Sequence, residues 1–152
     1  MAREAKVLNV TLEALKCTRT AGEGDTLEIY GDLFARGVFL NEHGDPVVGF
    51  EQRLWHRRED AELVIANGTE FHPINASVEL AVFNNDFLWL GGRIVENDGG
   101  LNPDDVLGDK FEKIRYDFIT DKIVEVLFTE SGQDLFARFN VRVLRIDQHP
   151  EM

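Results

Sequence analysis

The feature that most constrains this chain is the alternation of apolar and polar residues along many short segments. Period-two alternation is the pattern of a β-strand that has one face in a core and the other toward solvent. Five segments show it most clearly, with the apolar sets Leu8, Val10, Leu12 and Ala14; Leu27, Ile29 and Leu33; Ile74, Ala76, Val78, Leu80 and Val82; Leu88, Leu90 and Ile94; and Leu135, Ala137, Phe139, Val141 and Val143. The chain is therefore predicted to fold mainly as β-sheet.

Clusters of turn-forming residues separate these segments, at 41–46, 67–68, 72–73, 84–86 and 130–132. Many short strands with turns at regular spacing predict an all-β fold, an antiparallel β-sandwich. With 152 residues and a hydrophobic fraction of 43%, the chain is expected to form one domain over 1–152, with a core over about 7–146.

Three local patterns leave more than one structure open. Asn67-Gly68 lies between 63–66 and 69–72, which is the pattern of a two-residue hairpin, but 58–66 could instead be a short helix. Phe111, Ile114 and Phe118 also recur at helical spacing. Gly91-Gly92 interrupts a strand pattern, which indicates a bulge or close packing.

Charge and cysteine content exclude several classes of function. The chain carries 28 Asp and Glu against 16 Lys and Arg, a net charge of −12. Nucleic acids and anionic lipid surfaces repel such a chain, whereas hard cations are natural partners of many carboxylates. The single cysteine, Cys17, can form neither an internal disulfide nor a cysteine zinc cluster.

The N-terminal segment and the hydropathy predict a location in the cytoplasm. No apolar core of a signal peptide follows the first six residues, and no apolar run reaches the roughly 18–20 residues of a membrane span. An unconventional export route, or a domain excised from a longer protein, would give the same pattern.

The acidic loops are predicted to gather at one end of the sandwich. If every connection reverses the chain, the loops 17–26, 57–62 and 96–109 lie at the same end. Carboxylates crowded together repel one another unless a cation lies between them. The acidic residues of these loops are Glu23, Asp25, Glu59, Asp60, Glu96, Asp98, Asp104 and Asp105.

The strongest single motif is the segment 96–108. Calcium takes six to eight oxygen ligands at about 2.3–2.6 Å, from carboxylates and carbonyls on a backbone that can bend around it. Glu96 and Asp98 follow a strand pattern, Gly99-Gly100 lets the chain fold back, and Asp104 or Asp105 can return to the same cation. The segment is not an EF-hand loop, because leucines stand where that loop needs its glycine and its glutamate.

The segments 94–98 and 104–108 resemble the third calcium loop of C2 domains, the calcium and phospholipid modules of protein kinase C and synaptotagmin. Asp98 falls on the second acid of the family's Asp-x-Asp, Asp105 falls on the acid before glycine, and Glu96 stands where the family has aspartate. One extra residue separates Asp98 from Asp105. Residues 25–30 are a weaker echo of the first loop and lack its proline. The resemblance implies a calcium site with the ligands Asp25, Glu28, Glu96, Asp98, Asp104 and Asp105.

The leading prediction is a non-enzymatic, calcium-binding, C2-like module that attaches to a protein partner. Membrane binding is expected to be weak or absent, since Leu101 is the one large apolar side chain able to insert from 99–103, and one leucine is worth about 1.5–3 kcal/mol. Asp, Asn, Gly and Pro are also ordinary turn residues. A metal-independent interaction or assembly module therefore stays open.

A carbohydrate-binding sandwich with a structural calcium is the other alternative, with Trp55 and Trp89 as the residues that could stack on sugar rings. An enzyme is the least favoured class. Ser77 and Ser131 lack a nucleophile elbow, and the histidines show no metal-ligand spacing. These histidines are His43, His56, His72 and His149.

Overall fold

A computed structural model describes residues 2–20, 26–68, 70–97, 104–130 and 132–150. Over these ranges the chain forms the strands β1 (Ala2–Thr20), β2 (Thr26–Leu40), β3 (Pro46–Arg57), β4 (Leu63–Ala66), β5 (His72–Phe83), β6 (Phe87–Glu96), β7 (Asp105–Arg115), β8 (Lys122–Glu130) and β9 (Gln133–Pro150). Two single-turn 3-10 helices, Glu59–Ala61 and Tyr116–Phe118, interrupt them.

The strands form two antiparallel sheets. One has the order β5-β1-β9-β8, and the other has the order β3-β2-β6-β7 with β4 also paired to β2. Across the interface β3 contacts β5, β2 contacts β1, and β7 contacts β8, so the two sheets stack in matching order and β6 lies over β9. The predicted all-β antiparallel sandwich is confirmed.

The core lies between the sheets and is built from the alternating residues that the sequence predicted. Leu12 of β1, Leu33 of β2, Leu90 of β6 and Phe139 of β9 are fully buried. Side chains of this size contribute about 1.5–3 kcal/mol each when they leave water, so the inward rows of the two sheets supply most of the driving force.

The hairpin predicted around Asn67-Gly68 is wrong. β4 pairs with the first residues of β2, Thr26 to Ile29, and not with β5. β3 pairs with the rest of the same edge of β2, so β3 and β4 run in the same direction. The 3-10 turn Glu59–Ala61 connects β3 to β4, and the chain keeps its direction across this turn. The helix considered for 58–66 is therefore present only as this single turn.

The helix considered around residue 111 is wrong as well. Phe111 and Ile114 lie in β7, where they pair with Gly91 and Leu88 of β6. Leu88 and Ile114 point into the core, whereas Phe111 is on the outer face. Residues three apart in a strand point to opposite faces of the sheet. The spacing of Phe111 and Ile114, which is also that of a helix, here places one side chain on the outer face and the other in the core.

Of the two alternatives at Gly91-Gly92, close packing is confirmed. Both residues have φ of +150°. A Cβ added to Gly92 would lie 2.0 Å from the carbonyl oxygen of Asp32, and one added to Gly91 would lie 2.1 Å from that of Lys110. Only glycine fits at these positions, in the central strand of the five-stranded sheet.

The observed strand directions define two ends of the sandwich. One end of the sandwich, here named the loop end, holds the last residues of β1, β4, β6 and β8 and the first residues of β2, β5, β7 and β9, and the connections 41–45, 84–86 and 116–121 lie at the other end. Of the predicted acidic loops 17–26 and 96–109, the described ends, Thr20 with Thr26 and Glu96 with Asp105, lie at this same end. Segment 57–62 follows the edge of β2, between the residues that pair with Gly31 and Ile29. In the described part of the chain, no helix is long and apolar enough to cross a membrane.

Candidate functional site

The polar side chains buried in the described core all lie at the loop end. They are Thr20, Glu96 and Gln133, with 6%, 3% and 1% of their surface exposed. Thr20 and Gln133 are paired at the ends of β1 and β9, and Glu96 is the last residue of β6. Buried polar groups lower stability unless they are well paired, so packing alone does not explain why they collect here. We take this group of oxygen-bearing side chains as the candidate site.

Glu96 and Asp105 are opposite each other on neighbouring strands. The register pairs Glu96 with Ile29 on one side and with Asp105 on the other. Directly paired residues of a sheet point to the same face, and Ile29 is fully buried in the core. The carboxylates of Glu96 and Asp105 therefore share the inward face of the sheet, at its end, with Glu96 buried and Asp105 half-buried.

Gln133 brings an amide oxygen to the same end from the other sheet. It lies on the inward face of β9, in phase with the buried Leu135 and Ala137. Its Oε1 is buried and makes no hydrogen bond to any residue that the structure describes. Because β9 lies under β6, this acceptor and the Glu96 carboxylate belong to the same end of the interior. Calcium binds both oxygen types.

Asp104 is held on the outer face of the sheet. The hydroxyl of Tyr30 donates a hydrogen bond of 2.6 Å to its Oδ2. Tyr30 pairs with Val95, on the face opposite to Ile29 and Glu96. Burial, and after it the hydrogen bond to Asp104, raises the pKa of Tyr30 to about 12. Asp104 is thus fixed next to the connection 97–104, on the side away from Glu96.

Glu28 also lies on the outer face, with an exposed side chain. Its backbone carbonyl accepts a hydrogen bond of 2.7 Å from the backbone N–H of Asn97, which fastens the end of β6 to β2. The predicted ligands Asp25 and Asp98 lie outside the described residues. Among those that are described, no three or more His, Cys, Asp or Glu side chains come together closely enough to hold a metal ion.

Thr20 and Gln133 were missed by the reasoning from sequence, although the sequence carries a signal for Gln133. The residue stands in phase with the apolar row Leu135, Ala137 and Phe139, where alternation calls for an apolar side chain. A polar residue in the inward phase of a strand, next to a turn, is the pattern that could have identified it.

Another acidic residue near the loop end is already neutralised. Nε of Arg19 lies 2.5 Å from Oδ2 of Asp134, and the Thr129 hydroxyl donates to Oδ1 of the same carboxylate. Mainly through the hydrogen bond from Arg19, the pKa of Asp134 lies below its usual range. This carboxylate is therefore occupied by protein groups and is not an obvious cation ligand.

The two tryptophans do not form an open platform for sugars. Trp55 is buried. Trp89 is half-buried on the outer face, with the Lys113 ammonium 4.5 Å from its ring centre and the Phe111 ring 5.7 Å away. These neighbours already contact its ring, which weakens the carbohydrate alternative.

The contact between Tyr30 and Asp104 predicts an unusual alkaline titration. In a Tyr116→Phe variant, Tyr30 is the one remaining tyrosine, and we expect it to ionise near pH 12 and not near ~10, the ordinary value. Because the folded pKa is the higher one, the contribution of Tyr30 to folding stability is complete below pH ~10 and is lost as the pH rises through about 12. Tyrosinate absorbance, followed together with circular dichroism, measures both.

Adding Asp104→Asn to that variant should lower the pKa of Tyr30 but leave it above its ordinary value, since burial, the larger cause, remains. Asp109→Asn is the matched control, because Asp109 is an exposed carboxylate on the outer face of β7. Ionisation of Tyr30 near pH ~10 while the protein is still folded would contradict this geometry.

Comparison with known proteins adds no relative to these observations: no family model matches the chain, and neither does any curated protein.

Proposed function

We propose that this protein is a non-enzymatic, calcium-binding β-sandwich module of C2-like type, which binds calcium at the loop end and attaches to a protein partner there. The observation that carries the proposal is the position of Glu96, buried at the end of β6 directly opposite Asp105. Two carboxylates on one face, with one of them out of water, favour a bound cation because it offsets their mutual repulsion.

The oxygen types at this end suit calcium better than transition metals. Carboxylates, an amide carbonyl and a threonine hydroxyl are hard ligands, which calcium prefers, whereas zinc and copper select imidazole and thiolate. Calcium also tolerates six to eight ligands in irregular geometry. In the sequence Asp25 directly precedes β2 and Asp98 closely follows β6, so their carboxylates are the further oxygens that the proposal assigns to the ion.

A protein partner is favoured over a membrane. The net charge of −12 opposes anionic bilayers, and bound calcium would offset only part of it. At the loop end the exposed large apolar side chains of the described strands are the valines Val64 and Val106, and in the segment 99–103 Leu101 is the one large apolar residue of the sequence, so little apolar surface is available for insertion. Calcium would therefore complete a docking surface for another protein.

Thermal unfolding with and without calcium tests the proposal. A ligand that binds only the folded state adds about 2.7 kcal/mol at 100 times its Kd, which shifts the melting temperature of a domain of this size by roughly 5–10 °C. We expect calcium to raise the melting temperature, chelator to reverse the rise, and magnesium to do less because it gives up its waters reluctantly.

Variants then locate the site. Asp105→Asn and Gln133→Met should each remove most of the calcium-induced shift, and Asp109→Asn should keep it. Asp109 lies on the same strand as Asp105 but is exposed and close to Arg93. No shift in the unaltered protein at 10 mM calcium, at least roughly a thousandfold above the Kd of sensor sites, would remove the proposal.

The second candidate is a metal-independent interaction module. The observation that favours it is a group of exposed apolar side chains at the end of the sandwich opposite the loop end, among them Phe39, Leu40 and Phe50. If the protein is a metal-independent module, a chelator leaves partner binding unchanged, whereas the calcium-binding module would lose its partner.

A further inference from the structure

An apolar cleft opens between the edge strands β3 and β5, at the end opposite the loop end. Its volume is about 460 Å³, within the range of ligand-binding pockets. Phe39 and Phe50 of the β2–β3 hairpin line one wall, and Val82 and Phe83 of β5 line the other.

The wall of the cleft that the β2–β3 hairpin forms exposes large apolar side chains to solvent. Phe39 and Phe50 are 39% and 38% exposed, and Leu40 beside them is 49% exposed. Gly49 permits this arrangement, since a Cβ there would lie 3.3 Å from the ring of Phe39. An exposed cluster of large apolar side chains around a concave surface is typical of a binding site.

One cation lies at the rim of this apolar cleft. Arg3 donates from Nη2 to the backbone oxygen of Asn84 at 3.0 Å and to Oδ1 of Asp86 at 2.9 Å, and its guanidinium lies 5.1 Å from the ring centre of Phe83. Its Nε and Nη1 donate to no residue in the described part of the chain. The side chain of Arg3 is 39% exposed, whereas Asp86 is largely covered, so the donors are more open to a ligand than the carboxylate is.

We propose that this cleft binds a monocarboxylate with an apolar chain, a ligand of the fatty-acid class. The chain would lie between Phe39, Phe50 and Val82, and the carboxylate would accept hydrogen bonds from Nε or Nη1 of Arg3. Charge-assisted bonds of this kind are roughly twice as strong as neutral ones. The donors that Arg3 leaves open beside its ion pair with Asp86 lie at one end of an apolar cleft, and this arrangement matches one carboxylate on an apolar chain.

Calorimetry with decanoate and decanol tests the two halves of this site separately. We expect decanoate to bind one to one, with the same affinity in calcium and in chelator, because the cleft lies at the end away from Glu96. Arg3→Gln should weaken decanoate by about tenfold and leave decanol within about twofold, since only the carboxylate needs the cation. Phe50→Ala should weaken both ligands by about tenfold.

Phe118→Ala is the matched control, because Phe118 is an exposed phenylalanine that does not line the cleft. It should leave both affinities unchanged, and circular dichroism shows whether each variant is folded. The proposal is overturned if decanoate does not saturate a site, or if folded Arg3→Gln binds it as the unaltered protein does. A dimer in sedimentation that Phe50→Ala dissociates would also overturn it, because a second copy would then cover the cleft.

Discussion

Gly92→Ala is expected to destabilise the protein by more than about 3 kcal/mol, a large part of the 5–15 kcal/mol that typically holds a domain together. The new Cβ would lie 2.0 Å from the carbonyl oxygen of Asp32, and φ of +150° is a conformation that alanine rarely adopts. Since the obstacle is backbone and not a flexible side chain, β2 and β6 would have to separate. Urea unfolding measures the change.

Gly37→Ala is the matched control. It lies in β2, which pairs with β6, but a Cβ there would meet its nearest neighbour at 3.7 Å, an ordinary contact. We expect a change within about 1 kcal/mol for this variant. Equal losses at Gly37 and Gly92 would mean that the close approach of β2 and β6 is not what requires glycine.

Phe139→Ala is expected to cost about 3–5 kcal/mol, the usual range for removing a buried aromatic ring. Phe139 is fully buried in β9, which pairs with both β1 and β8, so the surrounding strands have little freedom to close the cavity. A domain of this size should then melt roughly 10 °C lower or fail to fold at all.

Phe118→Ala, which removes the same atoms from a side chain that is 64% exposed, should change stability by no more than about 0.5 kcal/mol. The difference between the two variants isolates burial from the chemistry of the substitution. Equally large losses for both variants would contradict the exposure of Phe118, and equally small ones would contradict the burial of Phe139.

These stability experiments bear on the proposed functions because the two candidate sites lie at opposite ends of one rigid sandwich. The loop end collects buried oxygens, whereas the opposite end exposes apolar side chains around a cleft. The closed core between them gives each end a fixed frame. A variant such as Asp105→Asn should therefore change calcium binding without changing decanoate binding at the cleft, and Phe50→Ala should do the reverse.

Much of the fold follows from the sequence by itself. Alternation assigns each strand an inward face, because successive side chains of a strand point to opposite sides. The rows of Leu8, Val10 and Leu12, and of Leu135, Ala137 and Phe139, are buried as this predicts. The glycine pair at 91–92 likewise indicates, without any structure, either a bulge or close packing at this point of the strand.

The tertiary structure decided which strands pair and what meets at the loop end. Alternation fixes the face of a strand but not its partner, so β4 could be read as half of a local hairpin although it pairs with β2. In the same way, Glu96 and Asp105 belong to one acidic motif in the sequence, whereas Gln133 lies at the same end of the interior only because of the order in which the strands of the two sheets are arranged. Contacts between residues far apart in the chain depend on how the two sheets stack, and local sequence carries no measure of that stacking.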